Sequence, residues 1–307
     1  MSEWHEPVMA QEVLDFLDPS GAGFYLDGTL GGGGHTRLIL DACADCRVLG
    51  VDRDPEALAQ AREVLAGHRA RVRFLSARFD HAPADPEVKD RGLDGALLDL
   101  GVSSHQLDAD SRGFTFRRAA PLDMRMTPDA KRDARALLAH ASEDELTRIF
   151  REYGEEPRGR RLAREVVKRR ATAPMETSDD LVAALSVSLG RSPSAKEKAR
   201  IFQAVRIAVN EEMEGLEAGL PAIRDVLKAG GVLVVIAYHS LEDRAVKNAF
   251  REWSRTCVCP PELPICTCRG EALGETLTRK VLRPTEEEVA RNPRARSARL
   301  RAWRRAA

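Results

Sequence analysis

A glycine-rich turn, DGTLGGGGH at residues 27–35, constrains the fold of this chain more than any other feature, because it ends the first apolar run of the sequence. Glycines at the end of a strand accept positive φ and let the backbone approach a ligand closely. A tight turn without a ligand is the simpler alternative. The choice between the two depends on whether the following segments build a binding fold around the turn.

Strand and helix patterns alternate through the first hundred residues. Apolar runs at residues 47–51, 72–75 and 93–100 predict strands, and proline at the start of residues 55–65 predicts a helix. A nearly continuous apolar run at residues 231–238 predicts a central strand covered on both faces. This alternation predicts an α/β fold, with a parallel sheet and a ligand crevice at the carboxyl ends of its strands.

The pattern changes in the middle of the chain, where helix signals continue and strand signals stop. We predict a sheet domain in two parts, residues 1–108 and 194–307, with an inserted helical domain at residues 109–193. A capping box at residues 194–197 predicts the start of a long helix. A further helix is expected to begin at Pro221.

The spacing of the glycines excludes the common phosphate-binding loops. The dinucleotide pattern G-x-G-x-x-G fails because Leu30, Thr36 or Arg37 occupies a required position. The pattern G-x-x-x-x-G-K-[ST] fails because Gly33 is followed by Gly34 and not by lysine. The ligand is therefore expected to be a nucleoside without a phosphate.

Acidic residues at strand ends support this interpretation. Asp27 precedes the glycines, and Asp52 ends the second strand, where a carboxylate can accept both hydroxyls of a ribose. The alternative for Asp52 is that it caps the following helix. Residues 77–80 follow the third strand and Asp99 ends the fourth. S-adenosylmethionine fits these positions, since it has a ribose, an adenine and a cationic tail.

Basic residues are concentrated in two segments, although Lys plus Arg equals Asp plus Glu at 48 each. Residues 157–170 contain seven basic residues and one acid, and residues 291–305 contain seven arginines and no acid. Two such patches are typical of a protein that binds a polyanion. A solvated helix face is the alternative for each patch alone.

The sequence gives no sign of a membrane segment, because the apolar run at residues 232–237 is far too short to cross a bilayer. We therefore expect a cytoplasmic protein whose six cysteines are reduced.

Four of the cysteines form two C-x-C pairs, separated by six residues, at residues 257–268. Four close thiols can bind zinc, but the usual spacing is C-x-x-C, so reduced thiols without a metal are the favoured interpretation.

Several motifs together resemble the bacterial RsmH (MraW) family over nearly the whole chain. They are, in order, DGTLGGGGH at residues 27–35, DRD at 52–54, LDLGVSS at 98–104 with Gln106, RGFTF at 112–116, PLDMR at 121–125, AYHSLEDR at 237–244 and NPRARS at 292–297. The resemblance implies a class I S-adenosylmethionine-dependent methyltransferase, with a Rossmann-like sheet and an inserted all-helical domain. It also implies methyl transfer to the exocyclic N4 amine of one cytosine in 16S ribosomal RNA of the small ribosomal subunit.

The resemblance further implies the residues of the site. The expected cofactor contacts are Gly33, Gly34, His35, Asp52, Phe79, Asp99 and Gln106. The histidine and the glutamine among them rest on the resemblance alone. From their positions at strand ends, and not from the resemblance, Ser103 or His239 is expected to contact the base, with capping of a helix as the alternative for His239. Arg158 and Arg161 are expected to contact the RNA; no membrane partner is expected, and a homodimer is allowed.

Two other classes of function compete with a base methyltransferase. A small-molecule methyltransferase would explain the glycine turn but not the basic segment, and weak salt dependence of substrate binding would favour it. A non-catalytic RNA-binding protein that kept the fold would fail to bind S-adenosylmethionine. If the enzyme stacks an extruded base, the candidate aromatic residues are Phe114, Phe116 and Tyr238.

Overall fold

The chain forms two compact units, and each is described separately. The computed structural model describes residues 7–102, 110–127, 130, 132–259 and 267–307. The sheet unit comprises Met1–Gly101 and Glu214–Ala307, and the helical unit comprises Val102–Met213. Of the predicted site residues, Ser103 and Gln106 lie outside the described part of the chain.

A seven-stranded sheet forms the centre of the sheet unit, in the order β3-β2-β1-β4-β5-β7-β6. The strands are β1 (Phe24–Asp27), β2 (Arg47–Asp52), β3 (Val72–Ser76), β4 (Leu93–Asp99), β5 (Leu227–Ala237), β6 (Gly274–Thr276) and β7 (Arg299–Arg305). The strands from β1 to β5 are parallel, and β7 runs antiparallel to both of its neighbours. The strand order reverses between β1 and β4, which is where a ligand crevice is expected in an open α/β sheet.

Helices connect the strands and also build the second unit. In the sheet unit they are α1 (Ala10–Leu17), α2 (Gly34–Ala42), α3 (Pro55–Val64) and α4 (Pro86–Arg91). The helical unit contains α5 (Ala134–His140), α6 (Glu143–Arg148), α7 (Gly159–Arg170), α8 (Ser178–Leu189) and α9 (Ala195–Asn210). The later helices are α10 (Glu212–Val226), α11 (Ser240–Trp253) and α12 (Glu286–Arg291).

Burial of apolar side chains holds the sheet unit together. Val13 of α1 and Ile39 of α2 share one hydrophobic cluster with Leu97, Val234 and Ala302 of the sheet. The strands carry almost continuous apolar sequence because helices cover both faces of a parallel sheet. The topology confirms the predicted α/β fold, with a Rossmann-like parallel sheet and an inserted helical unit.

The helical unit is longer than the segment at residues 109–193 that the sequence suggested, since it extends to Val102–Met213. Its last helix, α9, packs against α5 and against the π-helical turn Ile149–Tyr153 that continues α6. The predicted capping box does begin α9, because Ser194 and Glu197 bond each other's backbone N–H groups. The sequence predicted this start correctly. It placed the helix with the sheet domain, whereas the contacts of α9 group it with the helical unit, because tertiary packing determines which neighbours its apolar face meets.

The expectation that Pro221 begins a helix is wrong. Helix α10 begins at Glu212 and continues through Pro221. Leu216, Leu220 and Ile223 form one buried stripe along it. Burial of that stripe on both sides of the proline outweighs the missing backbone N–H.

Two of the six cysteines also depart from the expected reduced state. Cys43 directly follows α2 and Cys46 directly precedes β2, and a disulfide joins them across a Cα–Cα distance of 5.5 Å. This separation is normal for a disulfide. Within the described residues, no helix is long and apolar enough to cross a membrane.

Candidate functional site

The glycine turn connects β1 to α2 at the point where the strand order reverses. Gly33 is the N-cap of α2 with φ of +82°, and no described side chain caps this helix. A Cβ at Gly28 would lie 2.5 Å from Cδ2 of Leu98 and 3.1 Å from Cβ of Phe79. The turn therefore needs glycine for two separate reasons, and the N–H groups of the first turn of α2 favour an anionic partner.

Asp27 holds the turn in place. Its side chain is buried, and its carboxylate accepts hydrogen bonds from the Thr36 hydroxyl at 2.7 Å and from the Thr29 backbone N–H at 3.3 Å. Burial raises the pKa of Asp27. These bonds fix β1 against α2, so Asp27 acts as a support for the site.

Asp52 lies at the end of β2 with both carboxylate oxygens directed at the backbone. One oxygen accepts the N–H of Gly31 at 2.8 Å and the other accepts the N–H of Asp54 at 2.8 Å. Asp54, and not Asp52, caps α3, since it accepts the N–H of Glu56. The capping alternative for Asp52 is therefore wrong. Each carboxylate oxygen has a second lone pair, which leaves Asp52 able to accept ligand hydroxyls.

Asp99, at the end of β4, lies within a network of polar side chains. Its Oδ1 accepts a hydrogen bond of 2.9 Å from the Tyr238 hydroxyl, and its Oδ2 lies 3.8 Å from Nδ1 of His35. The other ring nitrogen of His35 donates to the Val8 carbonyl at 2.9 Å. The Thr29 hydroxyl accepts the backbone N–H of Asp99 at 2.6 Å. The glycine turn and the ends of β4 and β5 are thus joined at this carboxylate.

The surroundings of Asp99 raise its pKa to about 6. The largest cause is burial, which disfavours the charged form, and the nearby His35 and the Tyr238 hydrogen bond only partly oppose it. Burial and the neighbouring carboxylate also raise the pKa of Tyr238 well above its ordinary value. At neutral pH the carboxylate is therefore mostly ionised, and Tyr238 acts as a hydrogen-bond donor. The Asp99 side chain keeps 22% of its surface exposed and can contact a ligand.

His239 is the N-cap of α11 and is buried. Its Nδ1 accepts the N–H of Glu242 at 3.3 Å, while the Glu242 carboxylate accepts the N–H groups of Tyr238 and His239 at 2.9 and 3.2 Å. His239 therefore caps the helix that follows it, as the alternative interpretation of this residue predicted. A contact between His239 and a base stays a prediction.

Phe79 follows β3 and packs against the glycine turn. A Cβ at Gly219 of α10 would lie 2.5 Å from Cε2 of Phe79, and Gly28 approaches the same side chain from β1. Gly34 lies against Pro7, since a Cβ there would be 2.9 Å from the proline ring. The described members of the predicted cofactor set therefore lie along one edge of the sheet.

Sequence reasoning missed how this set is held together. It treated Tyr238 as a candidate for stacking on a base, whereas the hydroxyl of Tyr238 binds Asp99. Of the other aromatic candidates, Phe116 is 38% exposed and packs edge-to-face on Phe202 at a centroid distance of 5.9 Å, and Phe114 is half-buried. The adjacency of β4 and β5 is the signal that could have linked Tyr238 to Asp99.

The basic segment of the helical unit lies on α7 and just before it. Its exposed members are Arg158, Arg160, Arg161, Arg164 and Lys168. Arg158 donates to the carbonyl of Leu189 at 2.6 Å and Arg161 to that of Val187 at 3.1 Å, at the carboxyl end of α8. Two acids lie at this surface: Glu143 accepts a bond from Arg164 at 3.0 Å, and Glu165 accepts one from Arg169 at 2.7 Å. The surface stays predominantly basic.

The basic segment at residues 291–305 is used largely within the fold. Arg301 is 9% exposed and donates to Asp243 at 2.7 Å. Arg304 pairs with Glu275, and Arg305 donates to backbone carbonyls, including that of Asp225 at 2.7 Å. These contacts favour a structural role for this segment over the polyanion-binding role suggested by the sequence.

Comparison with known proteins gives a match over the whole chain. A family model described as the MraW methylase family matches residues 2–306. The "Ribosomal RNA small subunit methyltransferase H" of Gemmatimonas aurantiaca is 54% identical over 98% of this chain and 95% of that protein. The protein of the same name from Heliobacterium modesticaldum is 47% identical over 97% of both. Among solved structures, an rRNA methylase from Streptococcus thermophilus aligns with a TM-score of 0.43 and 9% identity, over 96% of this chain and 95% of that one.

Proposed function

Since the chain belongs to the MraW methylase family, we propose that it transfers a methyl group from S-adenosylmethionine to the N4 amine of one cytosine in 16S ribosomal RNA. S-adenosylmethionine is its cofactor. The observation that carries the proposed substrate is the whole-length similarity to relatives named ribosomal RNA small subunit methyltransferase H. The choice of the cytosine amine follows from the motifs that the sequence shares with this family.

The residues at the edge of the sheet fit this cofactor. When bound, S-adenosylmethionine supplies a methyl group activated by a sulphonium centre. We assign the backbone N–H groups of Gly33, Gly34 and His35 to its carboxylate, because a helix start attracts an anion. The oxygens of Asp52 suit the ribose hydroxyls, and Phe79 suits one face of the adenine. Gln106 belongs to the same assignment but lies outside the described residues.

The reacting amine needs help because its lone pair is delocalised into the cytosine ring. The enzyme must hold the amine in line with the methyl group and provide an acceptor for the proton that the amine loses. We assign Asp99 mainly to the cofactor, where Tyr238 and Thr29 hold it in one orientation. Ser103 or His239 would then contact the base. Unchanged turnover after alanine substitution at both would reject this assignment.

The helical unit offers a surface for the RNA. Arg158 and Arg161 are exposed, and both lie beside further exposed basic residues of α7. Positive charge at fixed positions binds phosphates and gives a salt-dependent affinity. We therefore propose that Arg158 and Arg161 contact ribosomal RNA. A small-molecule substrate would leave this surface without a role.

The proposed partner is the small ribosomal subunit, which places the activity in the cytoplasm. The homodimer that the family resemblance allows is a separate prediction about the assembled protein. Light scattering of the purified protein across a range of concentrations tests it directly, since a dimer doubles the measured mass.

A labelling experiment tests the function. The protein is incubated with isotopically labelled S-adenosylmethionine and small subunits that lack the modification, and the RNA is digested for mass spectrometry. We expect the label in N4-methylcytidine, and we expect it to be absent with Asp52→Ala. Asp54→Ala is the matched control, because it removes the cap of α3 and leaves the proposed ribose contact intact.

Two other results would change the proposal. Label in another nucleoside would keep the enzyme class and reject the cytosine amine as the target. No label with either subunits or free 16S RNA, despite measured cofactor binding, would reject ribosomal RNA as the substrate.

A further inference from the structure

The cysteine-rich segment after α11 brings three thiols together. The sulfur atoms of Cys257, Cys259 and Cys268 all lie within 4.8 Å of one another. Cys257 is exposed, and the other two are half-buried. Cys266 lies outside the described residues and is not part of the inference. Two short arms, residues 257–259 and residues 267–268, thus point their thiols at one place.

The spacing of the sulfur atoms suits a tetrahedral metal ion. With zinc–sulfur bonds of about 2.3 Å, two thiolates on one tetrahedral ion lie about 3.8 Å apart. The sulfur atoms of Cys257 and Cys268 are 3.8 Å apart. A disulfide would bring them to about 2 Å. The distance between these two sulfur atoms therefore matches the distance between two thiolate ligands of one tetrahedral zinc ion.

Backbone N–H groups donate hydrogen bonds to two of these sulfur atoms. The N–H of Val258 donates to Sγ of Cys268 at 3.4 Å, and the N–H of Thr267 donates to Sγ of Cys259 at 3.4 Å. Each bond runs from one arm to the other. These two bonds hold the sulfur atoms of the two arms beside each other.

Contacts without sulfur hold the second arm against the end of α11. Arg269 donates to the carbonyls of Glu252 at 2.6 Å and Arg255 at 3.0 Å. The N–H of Leu273 donates to the carbonyl of Trp253 at 2.8 Å. The fold itself therefore brings the two arms close to each other. Folding of the chain thus already orders part of the segment that would have to be ordered to bind a metal ion.

We propose that Cys257, Cys259 and Cys268 bind one zinc ion that holds the two arms together. Thiolates select a soft ion such as zinc over magnesium or calcium. A water molecule would fill the fourth position. The C-x-C spacing argued against a metal in the sequence analysis. A metal site, however, requires ligand atoms that lie close together in space, and these three sulfur atoms do so. The arms have few apolar side chains to pack, and a bound ion stabilises such a loop.

Metal analysis of the full-length protein tests the proposal. The protein is expressed with zinc in the medium, purified without chelators or a histidine tag, and measured by mass spectrometry of the elements. We expect about one zinc per chain, and almost none in the variant Cys257→Ser/Cys259→Ser/Cys268→Ser. The matched control Cys43→Ala/Cys46→Ala removes the disulfide between α2 and β2 and should keep the zinc.

Cobalt gives a second measurement that does not depend on the yield of zinc. Replacement of the ion by cobalt should produce sulfur-to-cobalt charge-transfer absorption, which the triple variant should lack. If the triple variant fails to fold, the single variant Cys257→Ser serves instead, because this cysteine is exposed and its substitution should leave the fold intact. Its affinity for zinc, measured in competition with a chelator, should be at least tenfold lower than that of the wild type. Zinc that persists in the triple variant would overturn the proposal. So would the absence of both metals, or a Cys257–Cys268 disulfide in the intact mass of the native protein.

Discussion

The hydroxyl of Tyr238 donates a hydrogen bond of 2.9 Å to Oδ1 of Asp99 and so joins the ends of two neighbouring strands. Asp99 is the last residue of β4, where it pairs with Ile236 of β5, and Tyr238 directly follows β5. This bond favours the ionised carboxylate against the effect of burial, and the pKa of Asp99 is about 6. The charge of Asp99 is thus sensitive to the loss of one hydroxyl.

Tyr238→Phe should raise the pKa of Asp99 above its value of about 6, because the substitution removes a bond to the charged form. If Asp99 binds the cationic cofactor as a carboxylate, affinity falls as pH decreases through this pKa. The midpoint of that fall should move to higher pH in the variant. Calorimetric titration with S-adenosylmethionine from about pH 5 to about pH 8 measures it.

Tyr25→Phe is the control for this experiment. It also removes one hydroxyl from the sheet unit, but that hydroxyl accepts a bond from the N–H of Ser20. The control should keep the wild-type midpoint. An unchanged midpoint in Tyr238→Phe would show that the bond to Asp99 does not set the charge at the site.

The free energy of unfolding of Asp99→Asn, relative to that of the wild type, should increase as pH rises. The pKa of Asp99 is about 6 in the folded chain and near 3.8 in the unfolded chain, so stability from this group is present below about pH 4 and lost as pH rises through 6. Asparagine carries no charge and avoids this loss. At about pH 8 we expect a relative gain on the order of 1–3 kcal/mol, since one pKa unit corresponds to about 1.4 kcal/mol.

Urea unfolding of both proteins at about pH 4.5 and about pH 8 measures the difference. The relative stability of the variant should increase between the two conditions. A difference that does not change with pH would show that the burial of Asp99 imposes no cost on its charge.

Substitutions at His239 separate its capping role from contact with a base. Asparagine is a good N-cap residue, so His239→Asn should unfold at the same urea concentration as wild type. His239→Ala should lose about 1 kcal/mol of unfolding free energy. Turnover of the asparagine variant then tests the base contact: a loss with normal stability supports it, and normal turnover rejects it.

The sequence was sufficient for the features that depend on local pattern. The glycine turn, the strand ends at Asp52 and Asp99, and the capping box at residues 194–197 each follow from residue type and spacing. These features are local because a turn, a strand end and a cap involve only near neighbours in the chain. The order of the strands then brings them to one edge of the sheet.

Features that depend on tertiary contacts could not be predicted in the same way. The bond from Tyr238 to Asp99 joins residues far apart in the sequence and requires β5 to lie beside β4. Arg301 looked like part of a basic surface until its partner Asp243, in α11, was placed beside it. Charge counts along a chain do not show which charges the fold pairs.

Gly33→Ala should destabilise the protein by about 1–2 kcal/mol, since a non-glycine residue pays that cost in the left-handed region. Gly33 has φ of +82°, and a Cβ there would lie 3.1 Å from Cδ1 of Leu65. Gly67→Ala is the control, because a Cβ at Gly67 would meet no described atom within 4 Å. The midpoint of thermal unfolding should be lower than wild type for Gly33→Ala and unchanged for Gly67→Ala. Equal midpoints would mean that the turn relaxes to accept alanine.

Removal of charge at Arg158 or Arg161 should weaken RNA binding in a salt-dependent way. The slope of log affinity against log salt concentration is negative, and each lost phosphate contact makes it less steep by about 0.7–0.9. Arg158→Gln and Arg161→Gln should show this change in binding to 16S RNA measured at several salt concentrations. Arg191→Gln is the control, because Arg191 is an exposed arginine of the same unit that pairs with Glu197 at 2.6 Å.

Lysine variants distinguish charge from structure at the same positions. Arg158 and Arg161 also bond carbonyls at the end of α8, so Arg158→Lys and Arg161→Lys lose part of that support but keep the charge. If the arginines contact phosphates, the lysine variants keep the salt slope and only the glutamine variants lose it. If both kinds of variant weaken binding equally with an unchanged slope, the arginines act by holding α8 in place. The RNA contact would then have to come from another part of the chain.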